Sequence, residues 1–213
     1  GSEMCIRDRV IGAEAVVRYH HKDLGIMNPG RYITLLEETK LSHYLDLYVF
    51  EEVCRTLARW EEEGLPMIPV SVNFAGATLR QESIVEVSES SHEMNQEMLA
   101  ETSNKIRKEN IRVVLDHFGA KDSSFAILAL MEFDGLKMDS SLVTNIVGNS
   151  RSQIVAKAVI DVCRRLGARV SAAGVETQDQ LNVLKELGCE SVQGSLFNKA
   201  ITIDTFEVRY MRR

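Results

Sequence analysis

The chain has 213 residues, 25 Lys+Arg against 31 Asp+Glu for a net charge of -6, and 45% hydrophobic residues, the size and mix of one compact domain. No window of about 18 uninterrupted apolar residues occurs, which excludes a membrane-spanning helix in this stretch. The acidic balance argues against a DNA or RNA surface, because polymer binding is driven by cationic side chains that displace counterions.

In chain order, residues Gly1 to Arg9 resemble a translated sequencing adaptor. They are set apart as a non-native leader, so that residues 10–213 form the domain and the native protein is longer and N-terminally cut. Downstream, short runs rich in Val and Ile alternate with segments of helical periodicity. Strands are predicted over Val10 to Arg18, Met67 to Phe74, Ile84 to Glu89, Ile111 to Asp116, Phe133 to Asp139, Ala168 to Ala173 and Glu190 to Gly194. Helices are predicted over Pro29 to Glu38, His43 to Glu63, Glu93 to Asn110, Ser123 to Met131, Arg151 to Leu166 and Gln178 to Leu187. In the fifth of these, Ile154, Ala158 and Val162 with Val155, Val159 and Leu166 form one broad apolar face. Gly167 and Gly188 stand where two helices want a left-handed stop.

Repeated strand-then-helix order implies a parallel sheet. Seven strands in about 204 residues suit a (β/α) barrel better than an open sheet, although order alone leaves both. The connection from Asn73 to Glu86 breaks the pattern, since parallel neighbours need a dozen or more residues to return. Ala75 to Ser83 span nine residues, roughly 30 Å when stretched, so one strand is retraced without helical cover and the wall is expected to be thin there.

Ligands of parallel α/β folds collect at the carboxyl ends of strands. Those ends carry Glu14, Asn73, Glu86 with Glu89, Asp116 with His117, Lys137 with Asp139, Glu176 and Gln193. This is a ring of oxygen donors plus one lysine. Hard cations such as Mg²⁺ and Mn²⁺ prefer such oxygens, and paired ions suit displacement at phosphorus. A metal-assisted phosphodiester site is the chemistry these residue types point to, with Lys137 holding phosphate oxygens or orienting water.

The motifs themselves resemble a known family. Gly12-Ala13-Glu14-Ala15-Val16-Val17-Arg18 is similar to the signature of the EAL domain, the bacterial cyclic di-GMP phosphodiesterase family, with Val16 in place of the final Leu. In the family's order follow Glu37-Glu38-Thr39, Ser71-Val72-Asn73, Glu86-Val87-Ser88-Glu89-Ser90, Asp116-His117-Phe118-Gly119, Asp134-Gly135-Leu136-Lys137-Met138-Asp139, Ala173-Gly174-Val175-Glu176-Thr177 and Gln193-Gly194-Ser195-Leu196-Phe197.

The resemblance implies an α/β fold of the EAL type. This is a modified TIM (β/α) barrel, here with its antiparallel first strand missing and one crossover helix shortened. It implies hydrolysis of cyclic di-GMP to pGpG with two Mg²⁺ or Mn²⁺ ions. It assigns metal ligation to Glu14, Asn73, Glu86 and Asp116, with His117 at a further metal position, and catalytic-site roles to Lys137 and Glu176. Arg18, Asp139 and Gln193 match nucleotide-site residues, and Glu89 matches the glutamate that props the loop after the fourth predicted strand.

Departures from the family pattern matter as much. Where the family has two adjacent aspartates, the chain has Asp116-His117, and a neutral imidazole binds Mg²⁺ poorly. The first glutamate of the Glu-Gly-Val-Glu motif is Ala173, which can neither ligate an ion nor take a proton. The mobile loop reads Gly119-Ala120-Lys121-Asp122-Ser123-Ser124, with Lys121 in place of a glycine that can adopt left-handed angles.

Plain structural readings stand beside these. His117 is a neutral histidine satisfied by a neighbouring carboxylate, and Lys137 pairs with Asp139 or Asp116. Glu61-Glu62-Glu63 is an exposed helix end. Cys54, Cys163 and Cys189 are small buried hydrophobes; the four cysteines lack CxxC spacing, which fits a reducing cytoplasm. The functional expectation is a degenerate EAL domain that does not hydrolyse cyclic di-GMP and acts by binding the nucleotide or by domain and protein contacts. The alternatives are an active phosphodiesterase and an interaction module without nucleotide binding. The resemblance further implies a diguanylate cyclase-like or sensory domain upstream and a homodimer, with membrane anchoring only through such an upstream part.

Overall fold

The computed structural model describes residues 2–5, 9–27, 29–74, 96–120 and 125–212. Two compact units form, one of Gly12–Ser91 with Ala200–Arg213, the other of Ser2–Ile11 with His92–Lys199. The predicted strand Ile84 to Glu89, the connection from Asn73 to Glu86 and Lys121 lie outside the described residues.

In the first unit, the end of strand β2 (Arg9–Ala15) runs parallel to β5 (Val70–Val72) and pairs Glu14 with Ser71. A hairpin of β3 (His20–His21) and β4 (Gly25–Ile26) follows β2. Its turn closes on His21 Nδ1, which accepts from the amides of Asp23 and Leu24. Two helices come next, α1 (Pro29–Glu38) and α2 (Ser42–Glu62). Pro29 opens α1, where its missing N–H costs nothing. The carboxyl-terminal helix α8 (Ile203–Tyr210), whose cap Thr202 accepts from the Thr205 amide, returns to α2. Trp60 stacks on Phe206 with ring centroids 6.4 Å apart. Beneath them Glu207, 3% exposed, accepts from the Trp60 indole at 2.7 Å and from the Arg59 and Arg212 guanidinium groups.

The second unit is a sheet in the order β1 (Ser2–Cys5), β9 (Ser191–Val192), β8 (Arg169–Ala172), β7 (Gly135–Met138) and β6 (Val114–Phe118). The last four are parallel, and β1 is antiparallel to β9 with Met4 opposite Val192. Residues Ser2–Cys5 thus supply a first strand where the sequence leads one to expect none. Helices α3 (Gln96–Lys108), α4 (Ala126–Leu130), α5 (Ser140–Val143), α6 (Ser150–Arg165) and α7 (Gln178–Leu187) connect the strands.

Alternation along a strand sends successive side chains to opposite faces. Leu136, Met138, Val170, Ala172 and Val192 therefore face one way, into a core with Val159, Ile160 and Cys163 of α6 and Leu181 and Leu184 of α7. Lys137 and its register partner Ser171 take the other face. The apolar face expected on α6 divides: Val159 is fully buried, but Ile154, Val155, Val162 and Leu166 are exposed, because Ala156, Val159, Ile160 and Cys163 make the inward stripe. Cys163 and Cys189 are buried as expected, and burial pushes their thiols up to about 11 and about 12. Cys54 is exposed, which corrects its reading as a core residue: it lies on the outward face of α2.

Candidate functional site

The strand ends of the second unit bring Asp116, His117, Lys137 and Asp139 together. Strand β6 pairs Leu115 with Leu136 but Phe118 with Met138, so Asp116-His117 carries one residue more than β7 offers. This bulge re-aims both side chains, as bulges beside functional sites do. His117 sits in the left-handed region at φ 56°, where histidine, asparagine and aspartate are the tolerated non-glycine residues. Its amide donates to its neighbour's Asp116 Oδ1 at 2.7 Å, which holds the bulge in place.

Lys137 is 5% exposed, and its Nζ lies 3.6 Å from Asp116 Oδ2. A buried ammonium requires such a partner. The His117 ring is 77% exposed, with Nδ1 3.2 Å from Asp139 Oδ2. Asp139 caps α5 by accepting from the Ser141 amide at 2.8 Å. Its carboxyl is held below the usual aspartate range, first by that amide, then by the Ser141 hydroxyl, with His117 adding to them. The two structural readings of the sequence therefore hold in geometry: His117 is satisfied by a carboxylate, and Lys137 pairs with Asp116.

At the ends of β8 and β9, the backbones of Val175 and Gln193 are joined by a Val175 N–H donating to Gln193 O at 3.0 Å. Gln193 donates its own amide to Ala172 O at 2.8 Å, and Glu176 is exposed beyond the turn. Ala173, the residue after β8, donates its amide to Met138 O at 3.0 Å. Gly194 has no room for a side chain, since a Cβ there overlaps the backbone O and N of Val175. Gly194→Ala is expected to cost about 2–3 kcal/mol by overpacking. Gly148→Ala, at φ 75° but in open space, is expected to cost only about 1–2 kcal/mol of backbone strain. Urea denaturation of both variants checks the difference, and equal losses would refute the close-packing account.

In the first unit, Asn73 Nδ2 donates to Glu14 Oε1 at 2.8 Å across the β2–β5 pair. Arg18 is exposed and donates to Val17 O. Glu86 and Glu89 lie outside the described residues. Among the described residues no group of three or more His, Cys, Asp or Glu side chains is spaced to hold a metal ion. No described helix is long and apolar enough to cross a membrane.

Sequence reasoning missed Gln180, which is 7% exposed and joins the Glu176 turn to α5. The signal was present in Thr177-x-x-Gln180 ahead of an apolar run, a capping box. It also missed Ser141, whose role needs the Asp139 cap to be visible.

A family model described as the EAL domain matches residues 3–200. The chain is 30% identical over 213 residues to the cyclic di-GMP phosphodiesterase NbdA of Pseudomonas aeruginosa, covering 91% of this chain but only 27% of that protein's length. It is 30% identical over 224 residues to the uncharacterized protein Rv1357c of Mycobacterium tuberculosis, covering 93% of this chain and 73% of the relative. A solved structure of the PaMucR phosphodiesterase, a c-di-GMP complex, superposes with a TM-score of 0.85 at 24% identity, covering 96% of this chain and 91% of that one. The fold is thus the EAL-type α/β fold that the motifs imply. With the motif residues in order, parallel strands bearing their acids at the carboxyl ends and a family match over nearly its whole length, the chain belongs to the EAL domain family.

Proposed function

We propose that this EAL domain of cyclic di-GMP signalling is non-catalytic and acts by binding the nucleotide or by contacts with other domains. One observation carries the reading. Directly after β8, where the family motif has a glutamate, stands Ala173, whose methyl group offers an ion no oxygen.

A second ion fits the donors of the second unit poorly. Asp116 spends one oxygen on the His117 amide and turns the other toward Lys137. The two oxygens of Asp139 serve Ser141 and His117. Hard cations need oxygens that remain available, and Ala173 supplies none. By the family motif, Glu14, Asn73 and Glu86 would be ligands of a Mg²⁺ or Mn²⁺ ion, which when bound polarises a phosphodiester oxygen. In the same reading Lys137 holds phosphate oxygens, Asp139 and Gln193 border the nucleotide, and Glu176 lines the site. The domain is read as cytoplasmic, joined in its native protein to a diguanylate cyclase-like or sensory domain, and homodimeric.

The competing reading is an active phosphodiesterase producing pGpG. It is favoured by the surviving Asp116–Lys137 and Glu14–Asn73 pairs. Calorimetric titration with cyclic di-GMP, with and without Mg²⁺ or Mn²⁺, followed by chromatography for pGpG, separates the readings. Binding without product supports ours. Metal-dependent pGpG at an ordinary enzymatic pace overturns it, and no binding at all leaves an interaction module.

A further inference from the structure

We infer that Gln180 is a positioning residue, one buried amide that locks the Glu176 turn to α5 and through α5 fixes Asp139 and His117. This inference rests on the reading of the site as a cyclic di-GMP site, and it goes beyond that reading by assigning what holds the site's geometry.

Gln180 Oε1 accepts from the Glu176 amide at 2.8 Å and the Thr177 amide at 3.1 Å. Its Nε2 donates toward Val143 O and Thr144 O, each at 3.4 Å. The oxygen thereby completes the capping box at the start of α7, while the nitrogen reaches the carbonyl of Thr144 and that of Val143, which also accepts from the Ile146 amide. Both ends of the amide are buried, where an unmet polar group is costly, so neither contact is easily exchanged for water.

Helix α5 has four residues and passes a displacement from one end to the other. Its cap is Asp139, which holds the His117 ring, and the Asp139 amide donates to Phe118 O at 2.9 Å. Two glycines press the neighbouring loops against it: a Cβ at Gly119 would overlap Leu142, and one at Gly174 would lie 2.5 Å from Ser140 Cβ. Glu176, Asp139, His117 and the bulge at Asp116 are therefore registered through one short helix, and Gln180 is the side chain that joins its far end to the Glu176 turn.

The two halves of the amide allow a test that a local capping role would fail. Gln180→Glu keeps acceptors for the Glu176 and Thr177 amides but presents a carboxylate to the carbonyls of Val143 and Thr144; Gln180→Leu removes both contacts. The readouts are the His117 ring resonances by NMR, assigned against His117→Asn, and calorimetric affinity for cyclic di-GMP, with the melting temperature as a check on folding. Gln180→Glu is expected to shift the His117 resonances and weaken the nucleotide by roughly tenfold, with a lowered melting temperature but a folded chain at about 25 °C, in the range seen when groups that orient site residues are removed. Unchanged His117 resonances in a folded Gln180→Glu variant would overturn the inference and leave Gln180 a helix cap. Absence of nucleotide binding in the unaltered chain would overturn the reading as a nucleotide site alone, because the His117 resonances report the coupling without ligand.

Discussion

The double substitution His117→Asp with Ala173→Glu is expected to raise Mn²⁺-dependent conversion of cyclic di-GMP to pGpG by about a hundredfold or more over the unaltered chain, the size of one restored acid/base group or ion ligand. The backbone accepts the first change, because aspartate tolerates the left-handed angles that His117 adopts in the β6 bulge. The change also frees the Asp139 oxygen now turned to the imidazole. The second change restores a carboxylate directly after β8, the strand paired with the one that bears Lys137. Each single substitution is expected to recover far less, since ligands of one centre act together. Product formation in single-turnover assays decides the matter. A folded double variant that stays inert would move the defect to the loop beginning at Gly119 or to the connection between Asn73 and Glu86.

The second large effect concerns stability. Glu207→Ala is expected to destabilise the first unit by about 1–3 kcal/mol, because it leaves the buried Trp60 indole N–H without its acceptor, while the half-exposed Arg59 guanidinium keeps Glu63. The Arg59 hydrogen bonds, then those of Trp60 and Arg212, hold the Glu207 carboxyl at about 2, against an ordinary 4.5. A carboxyl lowered on folding adds stability that is complete above its unfolded value and is lost as pH falls through its folded one. Urea midpoints of the unaltered chain should therefore drop between pH 4.5 and about 2, with a shallower drop in Glu207→Ala. A loss below about 1 kcal/mol at neutral pH would show that solvent already screens the cluster.

Much of the local structure was legible. The ends of α1 and α7 fall where the sequence puts them, at Pro29, Glu38, Gln178 and Leu187. Proline at a first turn, Thr177 as a cap and Gly188 in the left-handed conformation are signals carried by single residues. The parallel strands were legible too, since short runs rich in Val and Ile in strand-then-helix order are patterns along the chain. Four-residue α5 and eight-residue α8 were not, because so short a span carries too few periods to stand out. The outward turn of Ile154 and Leu166 was hidden as well, since α6 is apolar around more than half its circumference and only its neighbours choose the buried side.

The sequence by itself determined the family, the order of the longer strands and helices and which residues to consider as ligands, because these depend on residue type and spacing along one chain. Only the tertiary structure decided that His117 turns to Asp139, that Lys137 meets Asp116 and that Gln180 bridges two helices. These pairings join residues 21 to 37 positions apart, and their distances are set by sheet register, a one-residue bulge and glycine contacts that leave no periodic trace.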